Sequence, residues 1–178
     1  MIQANDIRDL RTAAADYEET ERIKSDIRAL RDIRQPLFLT QKDLYPIFKW
    51  KLRGQFDRVK GHLKKNSDKA YETITKAALT IQESDWELEA HLRLGVLTSL
   101  HGVGVPVASA ILALTEPERN CVIDFRGWRA VFNDERREFD TPAYILYLTK
   151  IRNLAQELGW PVQEADLAVW EYDLRNEQ

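Results

Sequence analysis

The stretch Thr98-Ser-Leu-His-Gly-Val-Gly-Val-Pro-Val-Ala-Ser-Ala110 joins two apolar segments near the middle of the chain. Glycine adopts the backbone conformations of a sharp turn most easily, so Gly102 and Gly104 predict that one helix stops and a second begins at about Val105. Pro106 agrees with this start, because proline is favoured in the first helical turn. The stretch therefore predicts a helical hairpin, and the backbone N–H groups at the start of its second helix suit a phosphate oxygen.

One aspartate follows this hairpin in an apolar neighbourhood. Asp124 has Val122 and Ile123 before it and Phe125 after it. A carboxylate in such a setting loses hydration unless it caps a helix, pairs with a cation or takes part in chemistry. A structural role as the N-cap of a helix from Phe125 to Phe132 and a functional role in a cleft are compatible, since a capping aspartate is held rigidly.

The segment Leu100-His-Gly-Val-Gly104, continuing to Ala108 and to Val122-Ile-Asp-Phe-Arg-Gly-Trp128, resembles the helix-hairpin-helix DNA glycosylase superfamily. That family has a hairpin of the form Leu-x-Gly-Val-Gly-x-x-x-Ala and a catalytic aspartate after the next helix. The likeness extends over about residues 86–132. It implies an all-helical fold, binding of double-stranded DNA, flipping of one base out of the stack and hydrolysis of its N-glycosidic bond, with Asp124 as the catalytic carboxylate.

The same resemblance extends to the hairpin and to the reaction product. It implies DNA contacts at Gly102, Val103 and Gly104, and a Na⁺ or K⁺ ion held by the main-chain carbonyls of Leu100 and Val103. In members that also cut the strand, a lysine stands two residues after the second hairpin glycine and forms a Schiff base with the sugar. Pro106 stands there in this chain. We therefore expect a monofunctional glycosylase that leaves an abasic site and has no lyase activity.

The distribution of charge matters more for a nucleic-acid partner than the formal net charge of −3. Residues 49–65 carry seven basic side chains against Asp57 alone, a local balance of +6, whereas residues 155–178 carry six acids against one arginine. One face should therefore meet a polyanion. The expected phosphate contacts in this basic stretch are Lys49, Lys51, Arg53 and Lys60.

Aromatic residues are interleaved with these cations. Apolar side chains recur at spacings of three and four, which predicts the buried stripe of an amphipathic helix formed by Phe48, Leu52, Phe56, Val59 and Leu63. Trp50 lies off that stripe. We therefore expect Trp50 in the base pocket or on a DNA-facing surface, where its ring could stack on a base.

Length and composition suit one helical domain with a substantial core. Glycine and proline are scarce, and no segment alternates as a strand would. We expect a single all-α domain over residues 1–178, a compact bundle of around eight helices. Residues 1–36 should form an outer N-terminal helix or pair of helices, and residues 84–132 should hold the hairpin and the aspartate.

Other features bear on compartment, cofactors and oligomeric state. No apolar run is long enough for a bilayer, and no charged-then-apolar leader begins the chain, so we expect a cytoplasmic monomer with no membrane partner. Cys121 is the only cysteine, which excludes an internal disulfide, a cysteine-ligated zinc site and a four-cysteine iron–sulfur cluster within the chain. No metal held by side chains is expected.

Three functions remain open from the sequence. The leading one is a monofunctional DNA glycosylase, whose substrate is either a damaged base in DNA repair or a modified base of phage DNA in antiviral defence. The second is a non-catalytic helix-hairpin-helix DNA-binding module, or a subunit of a repair or defence complex. The third, a helical interaction protein without a nucleic-acid partner, is disfavoured by the basic stretch.

Overall fold

Helices make up all the regular structure in this computed structural model, which describes residues 2–177. Nine helices in that range have eight or more residues, and one short helix precedes them. In chain order they are α1 (Ala4–Ile7), α2 (Tyr17–Ile33), α3 (Gln41–Leu52), α4 (Phe56–Leu63), α5 (Asp68–Thr80), α6 (Trp86–Leu97), α7 (Val105–Thr115), α8 (Phe125–Phe132), α9 (Thr141–Leu158) and α10 (Val162–Asn176). The prediction of an all-α fold is confirmed.

Several helices begin where a side chain can accept the N–H groups that the first turn leaves unpaired. Thr40 and Asp43 form a reciprocal capping box at the start of α3. Other helices start at a single serine or aspartate whose oxygen accepts a first-turn N–H, namely Ser67, Asp85, Asp124 and Asp140. These caps explain why the helix starts are readable in the sequence.

The central helix of the core is α7. Every residue from Val107 to Thr115 is buried, and α2, α3, α6 and α9 pack against this helix. Small side chains at Ala108, Ala110 and Ala113 let these neighbours approach closely. The last helix, α10, packs on α8 and α9 and closes the other side of the core. The loop from α7 to α8, which carries Asp124, therefore lies between α7 and α10.

One expectation about an individual segment is wrong. The apolar stripe of the basic stretch does not belong to one helix, because the chain breaks between α3 and α4 at Arg53, whose φ is 46°. Phe48 and Leu63 are buried, whereas the three residues between them are only partly so. In the N-terminal segment, Ile7 is fully buried, and α1 packs on α9 and α10.

Within residues 2–177, no helix is both long and apolar enough to cross a membrane.

Candidate functional site

Asp124 begins α8 and is its N-cap. Its Oδ1 accepts the Gly127 N–H at 3.0 Å, and a quarter of its side chain is exposed. The three residues before it, Cys121, Val122 and Ile123, are buried. The carboxylate therefore sits at the end of an apolar segment with one oxygen fixed by the helix and one edge open to solvent.

The extended segment before Asp124 is held from two sides. The Ile123 N–H donates to Ser109 Oγ on α7 at 3.1 Å, and the Val122 N–H donates to Asp166 Oδ2 on α10 at 2.8 Å. These bonds satisfy backbone groups that would otherwise be buried without partners. They also fix the position of the carboxylate, since the chain can shift neither toward α7 nor away from it.

Lys51 is the cationic partner of Asp124. Its Nζ lies 3.4 Å from Asp124 Oδ2 and donates to the Ile123 carbonyl at 3.1 Å. The side chain is only 9% exposed. Sequence analysis assigned Lys51 to phosphate binding, but the structure turns it inward to the carboxylate, where its charge offsets the cost of burying Asp124.

A narrow pocket with a cavity volume of about 30 Å³ lies in front of Asp124. Trp50 lines it and donates its indole N–H to Thr20 Oγ1 at 3.1 Å, so the ring is anchored to α2. The Arg53 guanidinium stacks 4.8 Å from the centre of the Trp170 ring and pairs with Asp16. The remaining lining comes from Lys51, Val122, Gln163, Asp166 and Leu167. The pocket thus combines two indole rings with both signs of charge.

The glycine turn between α6 and α7 packs on the end of α4. Gly102 has φ 79°, and a Cβ there would lie 3.1 Å from Leu63 Cδ2, so both its backbone and its surroundings favour glycine. Asn66 exchanges two hydrogen bonds of 2.9 Å with the main chain of His101. Gly104 differs, since its φ is −88° and its nearest neighbour would be 3.8 Å away. Only the first glycine is required by the turn.

The turn offers fewer free groups than the hairpin pattern suggested. Val103 is buried, and its N–H donates to the Leu100 carbonyl at 3.2 Å, which leaves neither its side chain nor its N–H facing outward. A cation at Leu100 would have to share that carbonyl with the turn's own hydrogen bond. Within residues 2–177 no cluster of three or more histidine, cysteine or acidic side chains could hold a metal ion.

The basic stretch extends from the pocket to the glycine turn. Lys51 and Arg53 line the pocket, and α4 then leads to Leu63 beneath Gly102. Lys49 is exposed, with its Nζ 5.4 Å from the centre of the Tyr45 ring. Lys60 is half-exposed and pairs with Asp57. The structure therefore brings together Asp124, Trp50, Lys51 and Arg53, with the glycine turn at the far end of α4.

Five pocket residues were not singled out from the sequence: Asp16, Gln163, Asp166, Leu167 and Trp170. Four of these residues lie on α10, in the acidic C-terminal part of the chain. One signal was present, because Asp166 interrupts the apolar run from Ala165 to Val169 as Asp124 interrupts its own. Burial is the main reason that the pKa of Asp166 rises to about 7.

No relative of this chain was found among known proteins. No protein-family model, no curated protein and no solved structure matches the chain. The assignment of a function therefore depends on the residues of the site itself.

Proposed function

We propose that the protein is a monofunctional DNA glycosylase that excises a damaged or modified base and leaves an abasic site. The observation that carries the proposal is the partly exposed carboxylate of Asp124 at the pocket shared with Trp50 and Trp170. Glycosidic cleavage passes through a state with positive charge on the sugar, which a fixed carboxylate stabilises. A flipped base is held by aromatic faces, which two indole rings can supply.

The chemistry assigns one task to each group. Asp124 accepts a proton from the attacking water as the electrons of the breaking N-glycosidic bond pass to the departing base. Lys51 pairs with Oδ2 at 3.4 Å and so places a positive charge beside this carboxylate. The exposed cations Lys49 and Arg53 meet backbone phosphates near the pocket, and the glycine turn meets them at the end of α4. A monovalent cation at the turn remains a proposal on which this reaction does not depend.

The absence of lyase activity rests on two residues. Pro106 has no nucleophile at the position where strand-cutting relatives of the resembled family carry lysine. Lys51 also lies beside the proposed catalytic carboxylate and has to be considered as a nucleophile, but its ammonium group donates to both Asp124 and the Ile123 carbonyl. An ammonium held in an ion pair has no free electron pair to attack a sugar carbon. The expected product is an intact strand with an abasic site.

The second candidate is a non-catalytic DNA-binding module. It is favoured by the complete engagement of Asp124, whose Oδ1 caps α8 and whose Oδ2 pairs with Lys51. Both roles are sufficient structural reasons for an aspartate at this position. The exposed basic residues would then serve binding alone, which predicts DNA affinity without base release.

Base release from duplex DNA with Asp124→Asn as the test variant separates the two candidates. Asparagine caps helices about as well as aspartate, so the variant keeps α8 while losing the charge. Release should fall by about a hundredfold or more, the upper range for a positioned acid or base, with DNA affinity retained. Asp140→Asn is the matched control, because Asp140 caps α9 in the same way outside the pocket.

The substrate panel should contain undamaged, oxidised, alkylated and phage-modified bases, because repair and antiviral defence predict different members of it. Full activity in Asp124→Asn would remove Asp124 from the mechanism. No release from any substrate, together with salt-dependent DNA binding by the wild type, would favour the binding module.

A further inference from the structure

Asp166 is a second carboxylate at the same pocket. It is only 5% exposed and lies on α10, forty-two positions after Asp124 in the sequence. Its Oδ2 accepts the Val122 N–H at 2.8 Å, and its Oδ1 lies 2.6 Å from the Tyr147 hydroxyl. Through Val122, Asp166 is bonded to the chain two residues before Asp124.

Tyr147 connects Asp166 to the other side of Asp124. A Cβ on Gly127 would lie 2.1 Å from the Tyr147 hydroxyl, so the first turn of α8 rests directly on that oxygen. The Gly127 N–H is the donor that fixes Asp124 Oδ1. Asp166 therefore supports Asp124 both from the preceding segment and from the following helix.

The surroundings of Asp166 favour a change of protonation state near neutral pH. Burial and then the charge of Asp124 raise its pKa to about 7, against the opposing effects of its two hydrogen bonds and of Lys51 on α3. The other titratable neighbours are neutral at this pH, because burial raises the pKa values of Cys121 and Tyr144 and, on the same helix α9, Tyr147.

We propose that Asp166 is a positioning residue that holds Asp124 in its reactive orientation when ionised and loosens it when protonated. The carboxylate accepts both donors. The protonated acid carries a hydrogen on one oxygen, and this hydrogen points toward either the Val122 N–H or the Tyr147 hydroxyl, so one of the two hydrogen bonds is lost or reversed. Within residues 2–177 the Tyr147 hydroxyl makes no other hydrogen bond that could replace it. The reactive orientation is that of the proposed glycosylase, so the inference rests on the proposed function.

The first test uses amide NMR and needs no substrate. In the wild type, the Val122 and Gly127 amide signals should shift together between pH 5.5 and 8.5 with a midpoint near 7. Asp166→Asn should abolish both transitions. Tyr147→Phe keeps the carboxylate but removes the contact with α8, so it should abolish the Gly127 transition and retain that of Val122.

Three NMR results would overturn the inference. They are the absence of a transition in wild-type Val122 and Gly127, the persistence of the Gly127 transition in Asp166→Asn, and an unaltered Gly127 transition in Tyr147→Phe. If Asp166→Asn does not fold, the wild type and Tyr147→Phe still decide between these outcomes.

The second test is the pH dependence of base release. Asp166→Asn should match the wild type near pH 6 and fall about tenfold below it at pH 8, with KM unchanged, because misplacement of Asp124 affects the chemical step. A constant ratio of the two rates across this range would indicate a structural role only and overturn the inference. If the wild type releases no base, the proposed function fails, and the NMR test still decides the role of Asp166.

Discussion

Replacing Gly102 by alanine should destabilise the protein far more than replacing Gly104, although the two glycines look alike in the sequence. Gly102 has φ 79°, a conformation that costs a residue with a Cβ about 1–2 kcal/mol. The added Cβ would also lie 3.1 Å from Leu63 Cδ2 and 3.2 Å from Leu63 N, and crowding of a packed site typically costs about 1–3 kcal/mol. The backbone atom cannot rotate away, so Gly102→Ala should lose roughly 2–5 kcal/mol in total.

Gly104→Ala is the matched control. Its φ of −88° suits any residue, and its Cβ would meet nothing closer than 3.8 Å. Alanine is a poorer N-cap than glycine, which lowers the stability, but it also reduces the entropy of the unfolded chain, which raises the stability. The free energy of unfolding should therefore change by no more than about 1 kcal/mol.

Urea unfolding followed by tryptophan fluorescence measures both variants, since the chain has five tryptophans. The midpoint should fall strongly for Gly102→Ala with an unchanged slope m, which indicates a change in stability rather than in compactness. Equal losses for the two variants, or a larger loss for Gly104→Ala, would refute the assignment of the turn to Gly102. The measurement does not depend on any activity.

Three further predictions concern charge and product. Between pH 5 and pH 8, the stability of the wild type should fall by on the order of 3 kcal/mol relative to that of Asp166→Asn. The reason is that the Asp166 carboxyl group has a pKa of about 7 in the folded state against 3.8 in the unfolded chain, so it binds its proton more tightly when folded. Denaturation curves that show the same stability difference at every pH would contradict this prediction. Lys49→Gln should reduce the salt slope of DNA binding by about 1, and Lys76→Gln on α5 should leave it unchanged. Borohydride should trap no protein–DNA adduct, and an adduct lost in Lys51→Gln would show that this lysine reaches the sugar.

The sequence was sufficient for features that depend on neighbouring residues. Helix starts at Thr40, Ser84-Asp85 and Asp124 follow from capping side chains, and α7 follows from the glycine turn with Pro106. The position of Trp50 relative to the apolar positions of α3 follows from the helical period. Each of these is a local relation of a few residues, which is why pattern analysis finds them.

The pocket could not be assembled in this way, because its contacts join distant parts of the chain. Lys51 and Asp124 are 73 positions apart, and Val122 and Asp166 are 44 apart. Arg53 shows the difficulty most directly. Its charge was visible, but the break in the helix at its own backbone, which sets the direction of its side chain, has no clear signal beyond the following glycine.

The two hydrogen bonds between Asn66 and His101 have a consequence for transplanting the glycine turn. The turn takes its outer support from residues before α5, because Asn66 bonds its main chain and Leu63 lies beneath Gly102. A peptide or a grafted cassette containing residues 86–115 alone would lose that support and keep only the two helices. Any chimera meant to carry the turn therefore has to include α4 and Asn66 as well.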